Sequence, residues 1–269
     1  MRFACVQFDI VWEDKAANHA IIERMLDEAS PHIEPGTFVV LPELGDTGFS
    51  LDLDRIVDDR SLVWARQLAQ RRGIFVQHGF ARRVAGPEAA NGRNVAVIVS
   101  PAGEVLADYE KVHPFTFGRE SEHYSGGDHL CIARCGDAVV SPFICYDLRF
   151  AELWRLAALH DPAAEVFTIG ASWPNARQHH WRSLCLARAI ENQAYVVAVN
   201  RCGRDPNLPY SGGSIIVAPS GEFLAEAKDQ PTVLQAEIDL AALRRWRADF
   251  PALRDVHRDL LGRMRSEVR

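Results

Sequence analysis

With 269 residues, 48% of them hydrophobic, the chain is long enough to bury a full core, and a single α/β domain over residues 1–269 is expected. Its 30 Lys and Arg against 36 Asp and Glu give a formal charge of −6. That balance argues against nucleic acid as the main partner, and the loose cluster Arg244-Arg245-Trp246-Arg247 reads as a solvated helix face. No run approaches the roughly 20 apolar residues of a membrane span, and no charged leader with an apolar stretch opens the chain. Six cysteines scattered through apolar surroundings suit a reducing compartment, so a cytoplasmic protein is expected.

Strand-like and helix-like segments alternate from end to end, the pattern of an α/β protein. Residues 2–8 read as a strand, 18–29 as an amphipathic helix, 37–41 as a strand, 61–72 as a helix and 74–80 as a strand. Strands 95–100 and 105–109 flank the turn signal Pro101-Ala102-Gly103-Glu104. Strand 139–144, helix 152–159, strand 166–170, helix 181–191 and strand 195–200 follow. A near-copy of the turn then appears, Pro219-Ser220-Gly221-Glu222 between strands 214–218 and 223–225, which suggests related positions in a pair of sheets. The stretch 243–260 lies beyond the last predicted strand, and no linker or low-complexity segment divides the chain.

Three places in this pattern carry chemistry. Cys145, in Phe143-Ile144-Cys145-Tyr146-Asp147-Leu148-Arg149-Phe150, sits where a buried strand turns toward a helix. Unpartnered N–H groups at such a turn stabilise a thiolate and a developing oxyanion, although a lone cysteine is more often simply buried. Glu43 ends the apolar run Thr37–Leu41, at the carboxyl end of a strand where open α/β sheets place their sites. Lys111, in Tyr109-Glu110-Lys111-Val112-His113, stands among aromatic and apolar neighbours, against the ordinary reading of a lysine that snorkels from a strand end. Together the three supply a nucleophile, a base and a cation.

The stretches Leu41-Pro42-Glu43 with Thr47-Gly48-Phe49, Tyr109–His113 and Ile144–Phe150 resemble, in order, the motifs of the nitrilase or carbon–nitrogen hydrolase superfamily. Phe3–Gln7 looks like its first strand and Ala187–Gln193 like a late helix, so the likeness covers nearly the whole chain. Ser172–Arg177, His180-Trp181 and Asn200–Asp205 are most similar to its bacterial ω-amidase branch. One stretch departs from that branch: Leu44-Gly45-Asp46 replaces a Met-Phe-Asn-like sequence beside the expected pocket mouth. The resemblance implies an α-β-β-α sandwich of two mixed sheets and a homodimer, with residues 241–269 as a tail packing at its interface. It also implies hydrolysis of the terminal amide of α-ketoglutaramate or α-ketosuccinamate.

The chemistry expected is a thioester route. Cys145 attacks the amide carbon, Glu43 moves the proton, and Lys111 with the Tyr146 backbone N–H holds the oxyanion. A nearby cation would also favour the ionised forms of Cys145 and Glu43. Glu120 matches the superfamily's second glutamate, and its spacing to Gly127-Asp128 favours it over Glu122. A small substrate carboxylate needs a guanidinium, for which Arg177 is the first candidate and Arg119 and Arg201 are alternatives. Phe49 and Trp173 are expected as an apolar wall, and Arg149 as a residue that ties the nucleophile turn together. No metal, cofactor or nucleotide is expected. Cys131 and Cys135 lack a second ligand pair, His179-His180 opens a helix, and Ser211-Gly212-Gly213-Ser214 has no phosphate-loop lysine. Alternatives are an amidase for deaminated glutathione or an N-carbamoyl compound, a silent binding protein of the same fold, and a thiol redox protein with Cys135 as resolving cysteine.

Overall fold

In the computed structural model, which describes residues 1–29, 33–84 and 91–261, two six-stranded mixed sheets pack face to face and helices cover their outer faces. The chain runs β1 (Arg2–Gln7), α1 (Lys15–Glu28), β2 (Phe38–Val40), α2 (Leu53–Ile56), α3 (Arg60–Arg72), β3 (Phe75–Arg83), β4 (Gly92–Val99) and β5 (Val105–Glu110). It continues through β6 (Ala133–Cys135), β7 (Ala138–Ile144), α4 (Ala151–Ala158), β8 (Val166–Ala171), α5 (Gln178–Glu191) and β9 (Tyr195–Asn200). The small hairpin β10 (Cys202–Arg204) and β11 (Pro209–Ser211) precedes β12 (Ile215–Val217), β13 (Phe223–Glu226), β14 (Thr232–Glu237) and α6 (Leu240–Asp249).

Side-chain alternation explains the layers. In β1, Phe3 and Cys5 enter the core between the sheets, while Ala4 and Val6 face α1 and α3. In β9, Val197 and Val199 face the other sheet, while Val196 and Ala198 pack toward α4 and α5. Both faces of the central strands are therefore apolar, as parallel strands covered on both sides require.

The two sheets share one pairing scheme. Across β14-β1-β2-β3-β4-β5 the pairs are antiparallel, parallel, parallel, antiparallel and antiparallel. Across β6-β7-β8-β9-β12-β13 the order is the same. The two Pro-x-Gly-Glu turns join the equivalent hairpins β4–β5 and β12–β13. Gly103 and Gly221 both adopt positive φ, 83° and 91°, and each hairpin shifts register just before its turn.

The structure moves some expected boundaries. Helix α1 begins at Lys15 because the Asp14 carboxylate accepts the Ala17 N–H at 3.0 Å. Helix α5 begins at Gln178, so His179 and His180 form its first turn. Strands β6, β10, β11 and β14 have no counterpart among the expected elements. Of the expected tail, residues 262–269 lie outside the described residues; the rest forms α6 and two short 3-10 turns.

Candidate active site

The carboxyl ends of β2 and β8 meet across the sandwich, and Glu43 stands between them. Close approach needs glycine on both neighbouring strands. A Cβ on Gly170 would lie 2.6 Å from the Leu41 carbonyl oxygen, and one on Gly79 would lie 3.0 Å from that of Pro42. The Glu43 Oε1 accepts hydrogen bonds from Lys111 Nζ at 2.6 Å and Asn94 Nδ2 at 2.8 Å, and its Oε2 accepts the Ser172 N–H at 3.0 Å. Lys111, just past β5, also donates to Glu120 Oε2 at 2.8 Å. Glu120 accepts further bonds from Asn94 Nδ2 at 2.9 Å and the Phe115 N–H at 2.5 Å. Glu43, Asn94, Lys111 and Glu120 are each at most 2% exposed.

Sequence reasoning missed Asn94. Its amide bridges the two carboxylates that flank the ammonium, and an asparagine inside a strand pattern carries no signal of that role. Glu122 points away and pairs with Arg119 at 2.7 Å on the surface.

Cys145 begins a short 3-10 turn, Cys145–Arg149, directly after β7, and its φ is +42°. Few non-glycine residues adopt that conformation, and it marks a backbone held by its surroundings. Asp147, fully buried, does the holding: it accepts from the Tyr109 hydroxyl at 2.8 Å and the His113 N–H at 3.0 Å. Arg188 on α5 donates to the Leu148 carbonyl at 2.8 Å, and the Trp154 indole donates to that of Asp147 at 3.0 Å. The nucleophile turn is thus tied to the segment that carries Lys111. Tyr146 lies in the first residues of this turn, where N–H groups lack partners within the helix.

Lys111 acts on the thiol in the expected direction, against two opposing effects. Burial and the adjacent Glu43 carboxylate push the Cys145 thiol well above its ordinary range, and Lys111 only partly offsets them. Lys111 alone therefore does not make a preformed thiolate of Cys145, and the neighbouring Glu43 carboxylate favours the protonated thiol. Burial alone would depress the Lys111 ammonium, but Glu120, Glu43 and Cys145 together hold its pKa well above the usual value.

A cavity of about 330 Å³ opens onto Cys145, Glu43 and Lys111. Phe49 and Trp173 line it, as does Arg177, whose guanidinium lies 5.3 Å from the Phe115 ring centre. Arg149, the last residue of the nucleophile turn, lines it too. Its guanidinium stacks 4.8 Å from the Trp173 ring centre and contacts His180 Nδ1 at 3.3 Å. Among the described residues no carboxylate pairs with Arg149 or Arg177. Arg119 reaches the rim with its charge taken by Glu122, and Arg201 is buried elsewhere, 2.8 Å from Asp9. Leu44 and Asp46 do not line the cavity, so the departure at 44–46 lies behind the site rather than at its mouth. Cys135 ends β6, on the far side of β7 from Cys145, which removes the resolving thiol that a redox reading needs.

A buried thiol, two carboxylates and an ammonium at the strand ends of an α-β-β-α sandwich define a thiol hydrolase architecture. The carbon–nitrogen hydrolase family pattern matches residues 2–248. A 2-oxoglutaramate amidase of Bacillus subtilis (strain 168) is 33% identical over 261 residues, covering 96% of this chain and 98% of that protein. Omega-amidase YafV of Escherichia coli (strain K12) is 35% identical over 259 residues, covering 95% and 96%. A solved CN-hydrolase superfamily protein of Xanthomonas campestris, with an arsenic adduct in its active site, has a TM-score of 0.86 and 30% identity, covering 100% of this chain and 98% of that one. The chain belongs to the carbon–nitrogen hydrolase family and is a hydrolase of carbon–nitrogen bonds other than peptide bonds.

Proposed function

We propose that this hydrolase is an ω-amidase, which cleaves the terminal amide of 2-oxoglutaramate or 2-oxosuccinamate through a thioester on Cys145. One observation carries the reading. The thiol, its base and its ammonium open onto a cavity with an apolar wall and two guanidiniums without carboxylate partners. The names of the relatives in Bacillus subtilis and Escherichia coli support it.

Glu43 takes the thiol proton as sulfur attacks the amide carbon, then passes it to the departing nitrogen, and ammonia leaves. Glu43 next draws a proton from water as the water attacks the thioester, then returns it to the Cys145 sulfur as the carbon–sulfur bond breaks and the carboxylic acid product leaves. Lys111 uses two hydrogens on Glu43 and Glu120, and its third faces the substrate oxygen together with the Tyr146 N–H. Glu120 and Asn94 fix the ammonium and the base. Arg177 and Arg149 receive the substrate's carboxylate, with Phe49 and Trp173 along its methylenes.

A homodimer in the cytoplasm completes the reading. Apolar side chains near the end of the described chain, Phe250 at 59% and Leu261 at 45% exposed, are available for such an interface. No helix among the described residues is long and apolar enough to cross a membrane.

The test is ammonia release from a panel: 2-oxoglutaramate, 2-oxosuccinamate, glutamine, deaminated glutathione, an N-carbamoyl amino acid and a simple nitrile. The two oxo-amides should give the highest kcat/KM. Preference for the nitrile or the carbamoyl compound would overturn the substrate class while leaving the family membership intact.

A further inference from the structure

We propose that His19, Asp46 and His78 form a transition-metal site, with Zn²⁺ the ion that its chemistry fits. The three residues come from α1, the loop after Glu43 and β3, and their ligand atoms lie within 4.8 Å of one another. The site is separate from the cavity that holds Cys145.

Distances favour a shared ion over hydrogen bonds. The Nε2 atoms of His78 and His19 lie 3.3 and 3.4 Å from the same oxygen, Asp46 Oδ2. Charge-assisted N–H···O bonds are shorter, about 2.7–2.9 Å. Two atoms each bound to Zn²⁺ at about 2.0–2.2 Å, with a tetrahedral angle between them, stand roughly 3.3–3.5 Å apart. Asp46 and His78 are fully buried, yet Asp46 Oδ1 and His19 Nε2 have no hydrogen-bond partner. Orphans of that kind are rare in a native interior; an ion held on Asp46 Oδ2 would take up His19 Nε2 and neutralise the carboxylate whose Oδ1 has no donor.

The surroundings suit a built site. The His19 ring stacks on Trp64 at 3.9 Å, and Phe80 packs 5.6 Å from His78, so both imidazoles are fixed. Lys15 is the cation that also faces this cluster; its charge is taken up by Asp58 at 2.8 Å, with Ser61 as a further acceptor. His19, 13% exposed, leaves an entry path. Two imidazoles and one carboxylate match a borderline-soft divalent ion rather than Mg²⁺ or Ca²⁺, which take oxygen ligands. Bound there, the ion would tie the loop that carries Glu43 and Phe49 to α1 and β3. Positions 19, 46 and 78 have no motif spacing, so the sequence alone could not group them.

The full chain carrying Cys145→Ala, which removes the active-site thiol as a competing ligand, is stripped with chelator and dialysed against Zn²⁺, Co²⁺ or Mg²⁺. The site predicts one Zn²⁺ per chain by mass spectrometry of the metal and a melting temperature raised by Zn²⁺ but not Mg²⁺. It also predicts Co²⁺ absorption of nitrogen and oxygen ligands without a thiolate charge-transfer band. His19→Ala, on a partly exposed helix position, should lose that equivalent while keeping its far-ultraviolet circular dichroism, and Asp46→Asn should do the same. Should Asp46→Asn fail to fold, His19→Ala decides alone. No Zn²⁺ retained by the folded chain, or retention unchanged in folded His19→Ala, overturns the proposal.

Discussion

Cys145 sits in a left-handed backbone conformation, beside a carboxylate and out of water, and each condition shapes how it reacts. With its pKa held well up by burial and Glu43, the thiol gives up its proton only as the bond to carbon forms. Alkylation by iodoacetamide should accordingly be slow at neutral pH and speed up as pH rises. Rapid labelling that does not change with pH would contradict this. The same shift has a stability consequence. A group whose folded pKa is raised contributes fully below its unfolded value, 9.0 for a thiol, and loses that contribution as pH rises through the folded value. Urea unfolding from about pH 8 to about pH 10 should show stability falling by up to about 1.4 kcal/mol per pH unit for each such thiol. Cys145→Ala should remove one thiol's share, while the other five cysteines, all also raised by burial, keep the rest.

Arg149 and Arg177 bear on selectivity. Replacing either by Ala should raise KM for 2-oxoglutaramate about 10- to 100-fold, the value of a charged hydrogen bond, with kcat changed far less. An amide substrate without a carboxylate should be nearly unaffected. An equal loss on both substrates would move these residues from recognition to structure. At this scale the sequence was informative where a residue type departs from its setting. A glutamate ending an apolar run and a lysine among aromatics are conspicuous, so Glu43 and Lys111 stood out. Asn94 and Arg149 look like ordinary strand and turn residues, and their roles exist only once the chain is folded.

Elements were legible wherever periodicity was long. The central strands β7, β8 and β9 are buried on both faces and read as apolar runs, and the repeated Pro-x-Gly-Glu turns marked equivalent hairpins of two like sheets. The strands that escaped notice are short or half exposed: β10 and β11 span three residues each, and β14 has no fully buried position. Equivalence of the turns predicts matched behaviour. Gly103→Ala and Gly221→Ala each place a Cβ at positive φ, 2.6 Å from Gln70 and 2.9 Å from Ile190. Each should cost about 1–2 kcal/mol in urea unfolding, and a neutral result at either position would deny the strain. Arg188 belongs to this scale too, because it joins α5 to the nucleophile turn. Arg188→Ala leaves the buried Leu148 carbonyl without its donor, so stability should drop by about 1–3 kcal/mol and kcat should fall with it. Unchanged turnover in a destabilised variant would separate the two roles.

For the whole molecule, the sandwich brings together residues far apart in the chain: Glu43 from the end of β2, Lys111 from beyond β5, Cys145 from the end of β7 and Ser172 from the end of β8. The two-sheet arrangement could not be told from a single doubly wound sheet by alternation alone, since both bury their strands on two faces; motif resemblance separated them. A homodimer predicts twice the chain mass in sedimentation, and a concentration-independent monomer would refute it. The thioester route rests on the Cys145 Sγ as the atom that takes the acyl group. Ammonia release from 2-oxoglutaramate should be clear in the native protein and undetectable in Cys145→Ala with an unchanged circular dichroism spectrum; turnover surviving in that folded variant would contradict the thioester route.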